Sequence, residues 1–207
     1  VAGREELVAA AGEYEDGLVQ RRVVNHAYAA AINPGSLNTI RVLAMRDPVT
    51  SEPFVGSAVH RFGSLRTGCV DSFSQGGFSS LVDLESGVLG ALAGKEGFGL
   101  VTYLAHPDSG VQVAGVGIPH WEECKSLVVE LMRLLPGAVH AGWDIAITPH
   151  GPLVVEANGY PYLALMQEHG PTLLPRAVEF YRYYGLLKRP AFSAPRADRT
   201  RRLEGER

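Results

Sequence analysis

The sequence predicts an α+β fold: a largely antiparallel sheet with helices packed on one side. Three observations carry that expectation. Strand-like segments outnumber helix-like ones. Several of them follow one another with only a turn between, which a parallel βαβ plan does not permit. No internal repeat points to a solenoid or a propeller. With 207 residues, 46% of them hydrophobic, the chain can bury a real core and is too apolar to be disordered.

The elements are read in order. Residues 4–14, "REELVAAAGEY", are Ala-rich with Leu7 and Ala10–Ala11 at helical spacing, and predict a helix. Residues 17–26, "GLVQRRVVNH", have the β-branched content of a strand. Asn33–Ser36, "NPGS", is turn chemistry. Residues 38–45, "NTIRVLAM", and 53–63, "PFVGSAVHRFG", predict two further strands, the second weakened by its Gly56. Residues 74–80, "SQGGFSS", read as a loop, and 82–99 as a strand followed by a connection. Residues 100–105, "LVTYLA", read as a short strand. The clearest helix is 119–137. Trp121, Cys124, Leu127, Val128, Leu131, Leu134 and Leu135 form its apolar stripe, Glu122 and Glu123 suit its first turn, and Pro136-Gly137 ends it. Residues 172–187 predict a closing amphipathic helix with an early Pro175.

Charge and cysteine content narrow the function classes. The net charge is -3, but residues 188–207 hold seven Lys/Arg against three Asp/Glu, a balance of +4, which leaves -7 for the rest. That excludes a basic nucleic-acid face on the folded part and predicts a flexible basic tail over 188–207. Two cysteines make no disulfide framework, which fits a reducing, cytoplasmic setting. No apolar run approaches the ~20 residues of a membrane span. A homodimer is compatible with this composition.

The stretch "AGWDIAITPHGPLVVEANGYP", 141–161, raises the chemical question. Two apolar runs flank a Pro-His-Gly turn, and each carries one carboxylate. A three-residue loop of Pro149, His150 and Gly151 would pair Thr148 with Pro152 and set Asp144 opposite Glu156. A two-residue loop would pair Asp144 with Val155. In the first register Asp144, Glu156 and Asn158 share one face. Trp143, Ile145 and Ile147 share the other with Leu153, Val155 and Ala157, as a core face. Facing carboxylates repel, and a hard divalent cation held by three oxygens relieves that repulsion. The alternative is that one acid is exposed and the other pairs with an arginine.

The hairpin resembles the metal-binding hairpin of the ATP-grasp superfamily, in which an Asp on one strand and Glu-x-Asn on the next hold Mg²⁺ against ATP phosphates. The ordered segments "SLNTIRV", "SFSQGGF", "HPDSG", "IPHWEE" and "GWDIAIT" most resemble its sugar-transfer-associated branch. The resemblance spans residues 17–185. It implies an ATP-grasp C-terminal lobe over 17–187, preceded by an N-terminal helix over 1–16 as the remnant of an upstream lobe. By that resemblance Asp144, Glu156 and Asn158 are the metal ligands, and Arg61 and Arg41 are the catalytic arginines beside the phosphates. Gln20, Arg21, Arg22 and Val23 match the hinge that hydrogen-bonds adenine. Gly76 and Gly77 match the loop beside the reacting phosphate, where open backbone N–H groups could meet an anion. The implied cofactors are ATP and Mg²⁺, with Mn²⁺ as a substitute.

The sequence departs from that pattern. Lys95, Lys125 and Lys188 are its only lysines, and none stands where the family's phosphate-holding lysines belong. Ser72 stands in place of an Asn, Arg21 in place of a hinge Glu, and Gly-Tyr-Pro-Tyr follows Asn158. The implied reaction is a Mg-ATP-dependent carboxylate ligase passing through an acyl-phosphate, linked to cell-surface polysaccharide biosynthesis. Its partners would be a small-molecule carboxylate and an amine or sugar-linked acceptor. A noncatalytic binding or assembly module, and a Mg-dependent phosphotransfer or hydrolysis enzyme, are the competing classes.

Overall fold

The computed structural model describes residues 3–12, 20–97, 99–171 and 174–187. Seven strands form one antiparallel sheet: β1 (Thr39–Arg46), β2 (Pro53–Phe62), β3 (Phe78–Val82), β4 (Leu89–Glu96), β5 (Gly99–Tyr103), β6 (His140–Thr148) and β7 (Gly151–Asn158). Their spatial order is β5-β4-β3-β2-β1-β6-β7. The helices are α1 (Arg4–Ala11), α2 (Ala27–Ile32), α3 (Trp121–Leu134), α4 (Leu163–Gln167) and α5 (Pro175–Tyr183). The α+β plan with an antiparallel sheet is the one the sequence predicts.

Alternation along the central strands sends one set of side chains to each face. Ile40, Val42, Ala58, Phe62, Trp143 and Ile145 meet Trp121, Cys124, Val128 and Met132 of α3, forming the larger core. Leu43, Met45, Phe54 and Val59 meet Leu165 and Met166 of α4 and Ala177, Phe180 and Tyr181 of α5, forming a smaller one. The principal helix thus covers one face, and the two short helices cover part of the other. The remaining end of that second face is polar and open.

Several expected elements differ. Residues 20–26 form no strand; 17–19 lie outside the described residues, as do 13–14 of the first expected helix and the tail 188–207. The segment 20–26 is tied to the sheet by the His26 N–H, which donates to the Ile147 carbonyl at 2.7 Å. Ile147 pairs with Pro152, which has no N–H to offer. The expected 74–80 loop holds only a 3₁₀ turn, Phe73–Gln75, before β3 begins at Phe78. On α3 Met132 is buried, whereas Leu134 and Leu135 are exposed because they run past the sheet contact. Trp121 and Trp143 are core residues, and burial pushes the Cys124 thiol up to about 12, which keeps it inert.

Candidate functional site

The β6–β7 hairpin reaches the expected carboxylate pairing by a different route. Thr148 pairs directly with Gly151, so the connection is the two-residue turn Pro149-His150 and not the three-residue loop. Gly151 takes φ 112°, a conformation that a side chain would strain. Left uncorrected, this turn would set Asp144 against Val155. A β-bulge between Asp144 and Ile145 absorbs one residue: Ile145 pairs with Val154, and Asp144 with Glu156. The two-residue turn also alters the expected core face. Val154 packs against the larger core, while Leu153 and Val155 are exposed.

On the open end of the second face, register brings the chemistry together. Arg41 lies opposite Asp144 across β1–β6, and Thr39 stands one alternation away on β1. Val59 opposes Arg41 on β2, which places Arg61 beside Thr39. Arg41 Nη2 donates to Asp144 Oδ2 at 2.9 Å, and its Nε donates to Oδ1. Arg61 Nη2 donates to the same Oδ2 at 2.8 Å. Asp144, only 2% exposed, is therefore gripped by two guanidiniums. Burial drives its carboxyl upward, but the Arg41 hydrogen bond and the charges of Arg61 and Arg41 outweigh that and hold it below the ordinary range. Glu156, with a side chain 56% exposed, lies 3.9 Å from Arg41 Nη2. Asn158 Nδ2 donates to Glu156 Oε1 at 3.1 Å.

These contacts match the alternative in which one acid pairs with arginine and the other faces water. Among the described residues Asp144 Oδ1 accepts a hydrogen bond only from Arg41 Nε, which leaves it a lone pair. The donors suit a hard divalent ion in kind, because Asp144, Glu156 and Asn158 all carry oxygen and Asp144 and Glu156 oppose each other on one ribbon. Among the described residues no group of three His, Cys, Asp or Glu is arranged around a metal position. The third donor here is an amide. A metal ion would compete with Arg41 for Asp144.

Two residues that the sequence reading did not single out complete the cluster. Asp71 Oδ2 accepts the Thr39 N–H at 2.8 Å and the Thr39 hydroxyl at 2.5 Å. Arg61 Nε donates to Thr39 Oγ1 at 3.2 Å, as does its Nη2, and Arg61 Nη2 stands 3.5 Å from Asp71 Oδ1. Burial raises the Asp71 carboxyl against the opposing pull of Arg61 and Thr39. Asp71 immediately precedes the "SFSQGGF" segment, so the segment was legible but the residue beside it was not.

A cavity of about 430 Å³ opens over this cluster, lined by Thr39, Arg41, Arg61, Asp71, Asp144 and Glu156, with Ser72, Phe73 and Ser74 on its wall. A second hollow of about 840 Å³ is lined by Gln20, Arg21, Arg22 and Val23, and shares Leu37, Cys69 and Val155 with the first. The expected hinge residues thus lie in the hollow adjoining the arginines. Gly76 and Gly77 do not line either space. Their N–H groups donate to Phe73 O and Ser72 O, so they are committed within the turn and offer no open anion nest.

A model of the family described as sugar-transfer associated ATP-grasp matches residues 4–181. No curated relative matches the chain. No helix among the described residues is long and apolar enough to cross a membrane. The chain belongs to the sugar-transfer-associated ATP-grasp family, whose members are nucleotide-binding proteins of ligase-like, ATP-dependent activity in a sugar-transfer context.

Proposed function

We propose that this chain contributes the phosphate- and metal-binding half of a Mg-ATP-dependent carboxylate ligase. The observation that supports this most is the meeting of Arg41, Arg61, Asp144 and Glu156 at one cavity that adjoins the hollow lined by Gln20–Val23. Adenine would lie in that hollow against backbone groups of 20–23, and the triphosphate would extend toward the two arginines. Arg61 and Arg41 would take the charge that builds on the transferred phosphoryl group. The acceptor carboxylate would attack that phosphorus, breaking its bond to the β-phosphate oxygen and releasing ADP, to give an acyl-phosphate from which a nucleophile then displaces phosphate. Asp144, Glu156 and Asn158 would hold Mg²⁺, which when bound neutralises phosphate charge. No step needs a covalent protein nucleophile.

The double grip on Asp144 favours a second reading, a noncatalytic module whose arginines serve only the fold. Calorimetric titration of Mg·ATP separates the two. The ligase reading expects binding by the wild type that Asp144→Asn and Glu156→Gln each weaken about tenfold or more. Equal binding by all three removes the metal role; no binding by the wild type leaves the module.

A further inference from the structure

We infer that Thr39 and Asp71 are positioning residues for Arg61: Asp71 draws the one Thr39 hydroxyl proton to itself, which turns the oxygen's lone pairs onto the guanidinium. The inference rests on the phosphate-binding role proposed above for Arg61. A threonine hydroxyl has one proton and two acceptor positions. Asp71 Oδ2 accepts both the Thr39 N–H and the Thr39 O–H, so the direction of that proton is set by two bonds to one oxygen. The acceptor side of Oγ1 is then met by Nε and Nη2 of Arg61. Nη2 continues to Asp144 Oδ2 at 2.8 Å, which braces the guanidinium from its other side.

The bracing leaves something unspent. Among the described residues Asp71 Oδ1 accepts no hydrogen bond; the nearest cation is Arg61 Nη2 at 3.5 Å. Asp71 is 8% exposed and lines the cavity with Arg61. A buried carboxylate oxygen kept short of partners beside an arginine restrains that arginine without saturating it. A guanidinium saturated by close carboxylates would have nothing to offer a phosphate. Arg61 is held by a neutral hydroxyl, one close oxygen of Asp144 and a distant oxygen of Asp71, and among the described residues its Nη1 makes no hydrogen bond, which keeps donors for an arriving anion.

The test compares Mg·ADP with the Mg complex of AMP-PNP, a non-hydrolysed triphosphate, by calorimetry on the wild type, Thr39→Val, Thr39→Ser, Arg61→Met and the double variant. Thr39→Val keeps shape and the backbone bond to Asp71 but removes the hydroxyl. Its preference for AMP-PNP over ADP is expected to fall about tenfold, equivalent to ~1.4 kcal/mol. ADP affinity and melting temperature should change little, Thr39→Ser should restore the preference, and the double variant should lose no more than Arg61→Met alone. Should Val disturb packing, Thr39→Ala carries the same expectation. Full preference in Thr39→Val where Arg61→Met has lost it overturns the inference and spares the nucleotide reading, as does an equal loss for ADP and AMP-PNP. A wild type that binds neither nucleotide overturns that reading and the inference with it.

Discussion

His60 and Arg61 are neighbours on β2, yet the sheet carries their side chains to opposite faces, and each face keeps a polar group from water by a different device. On the α3 side His60 is fully buried. Its Nδ1 donates to the Arg61 carbonyl at 3.1 Å, which leaves Nε2 to accept from the Tyr28 hydroxyl at 2.7 Å. The ring stacks on Phe62 with centroids 4.2 Å apart. Both nitrogens are used, the group is neutral, and nothing is left over. On the other face Arg61 and Arg41 are charged and held by acids, and the balance leaves an Asp71 oxygen that accepts no hydrogen bond among the described residues and an exposed Glu156 beside a cavity. The contrast separates two uses of buried polarity. A neutral, saturated pair specifies packing; a charged cluster with leftover donors and acceptors is equipped to bind.

The sharpest way to break this contrast is to empty each device in turn. Asp144→Ala strips the buried Arg41 and the partly buried Arg61 of their shared counter-charge and should cost ~3–5 kcal/mol in urea unfolding. Tyr28→Phe leaves His60 Nε2 without its donor and should cost ~1–3 kcal/mol. Were Asp144→Ala to cost less than Tyr28→Phe, water would already be reaching the arginines, and the second face would be a surface and not a packed site.

Acid should sharpen the contrast next. Burial holds the His60 imidazole down to about 3, whereas in the unfolded chain it titrates near its ordinary 6.5. Between those values the unfolded state binds the extra proton, so stability falls as pH falls, by up to ~1.4 kcal/mol per pH unit. Asp144, depressed, adds stability that is present above its unfolded value and is lost as pH drops through its lower folded one. Asp71 works the other way: its raised carboxyl costs stability at neutral pH, and that cost is relieved as pH falls through its raised folded value. The stability lost just below pH 6.5 should therefore include His60, to which His140 and His169, also lowered by burial, add, and urea unfolding of His60→Gln should show a flatter slope between pH 6.5 and 5. An unchanged slope would show that the imidazole is not held neutral in the folded protein.

How much of this was readable without coordinates differs along the chain. Long periodic segments were: α3, β1, β2 and the β6–β7 pair announce themselves by spacing and by Gly or Pro at their ends. The Asp144–Glu156 pairing was also readable, although the turn expected to produce it was wrong. A two-residue turn and a bulge cancel, and no local signal in "ITPHGPLVVEAN" separates that from a three-residue loop in even register. An arginine partner for one acid was a stated alternative, but its identity as Arg41 on Asp144 was not readable, because it depends on residues 103 positions apart meeting across β1 and β6. The strand expected over 17–26 is absent over the described residues 20–26, which meet the sheet through the His26–Ile147 hydrogen bond. Thr39 and Asp71 carry no motif spacing between them; only the fold brings them to Arg61.

The smallest expected effect isolates the binding use from the structural one. Glu156 is exposed, accepts one hydrogen bond from Asn158 on its own strand and stands off Arg41 by 3.9 Å. Glu156→Gln keeps its shape and relieves repulsion with Asp144, so the unliganded protein should change by no more than ~0.5 kcal/mol, with either sign. The same substitution removes a charged oxygen that the proposed ion needs. With Mg·ATP at about a hundred times its dissociation constant, the wild type gains ~2.7 kcal/mol from ligand binding, and its melting temperature rises accordingly. Glu156→Gln, binding about tenfold more weakly, should lose about half of that rise or more while matching the wild type without ligand. A variant that melts early in both conditions would place Glu156 among the supports of the sheet, on the His60 side of the comparison.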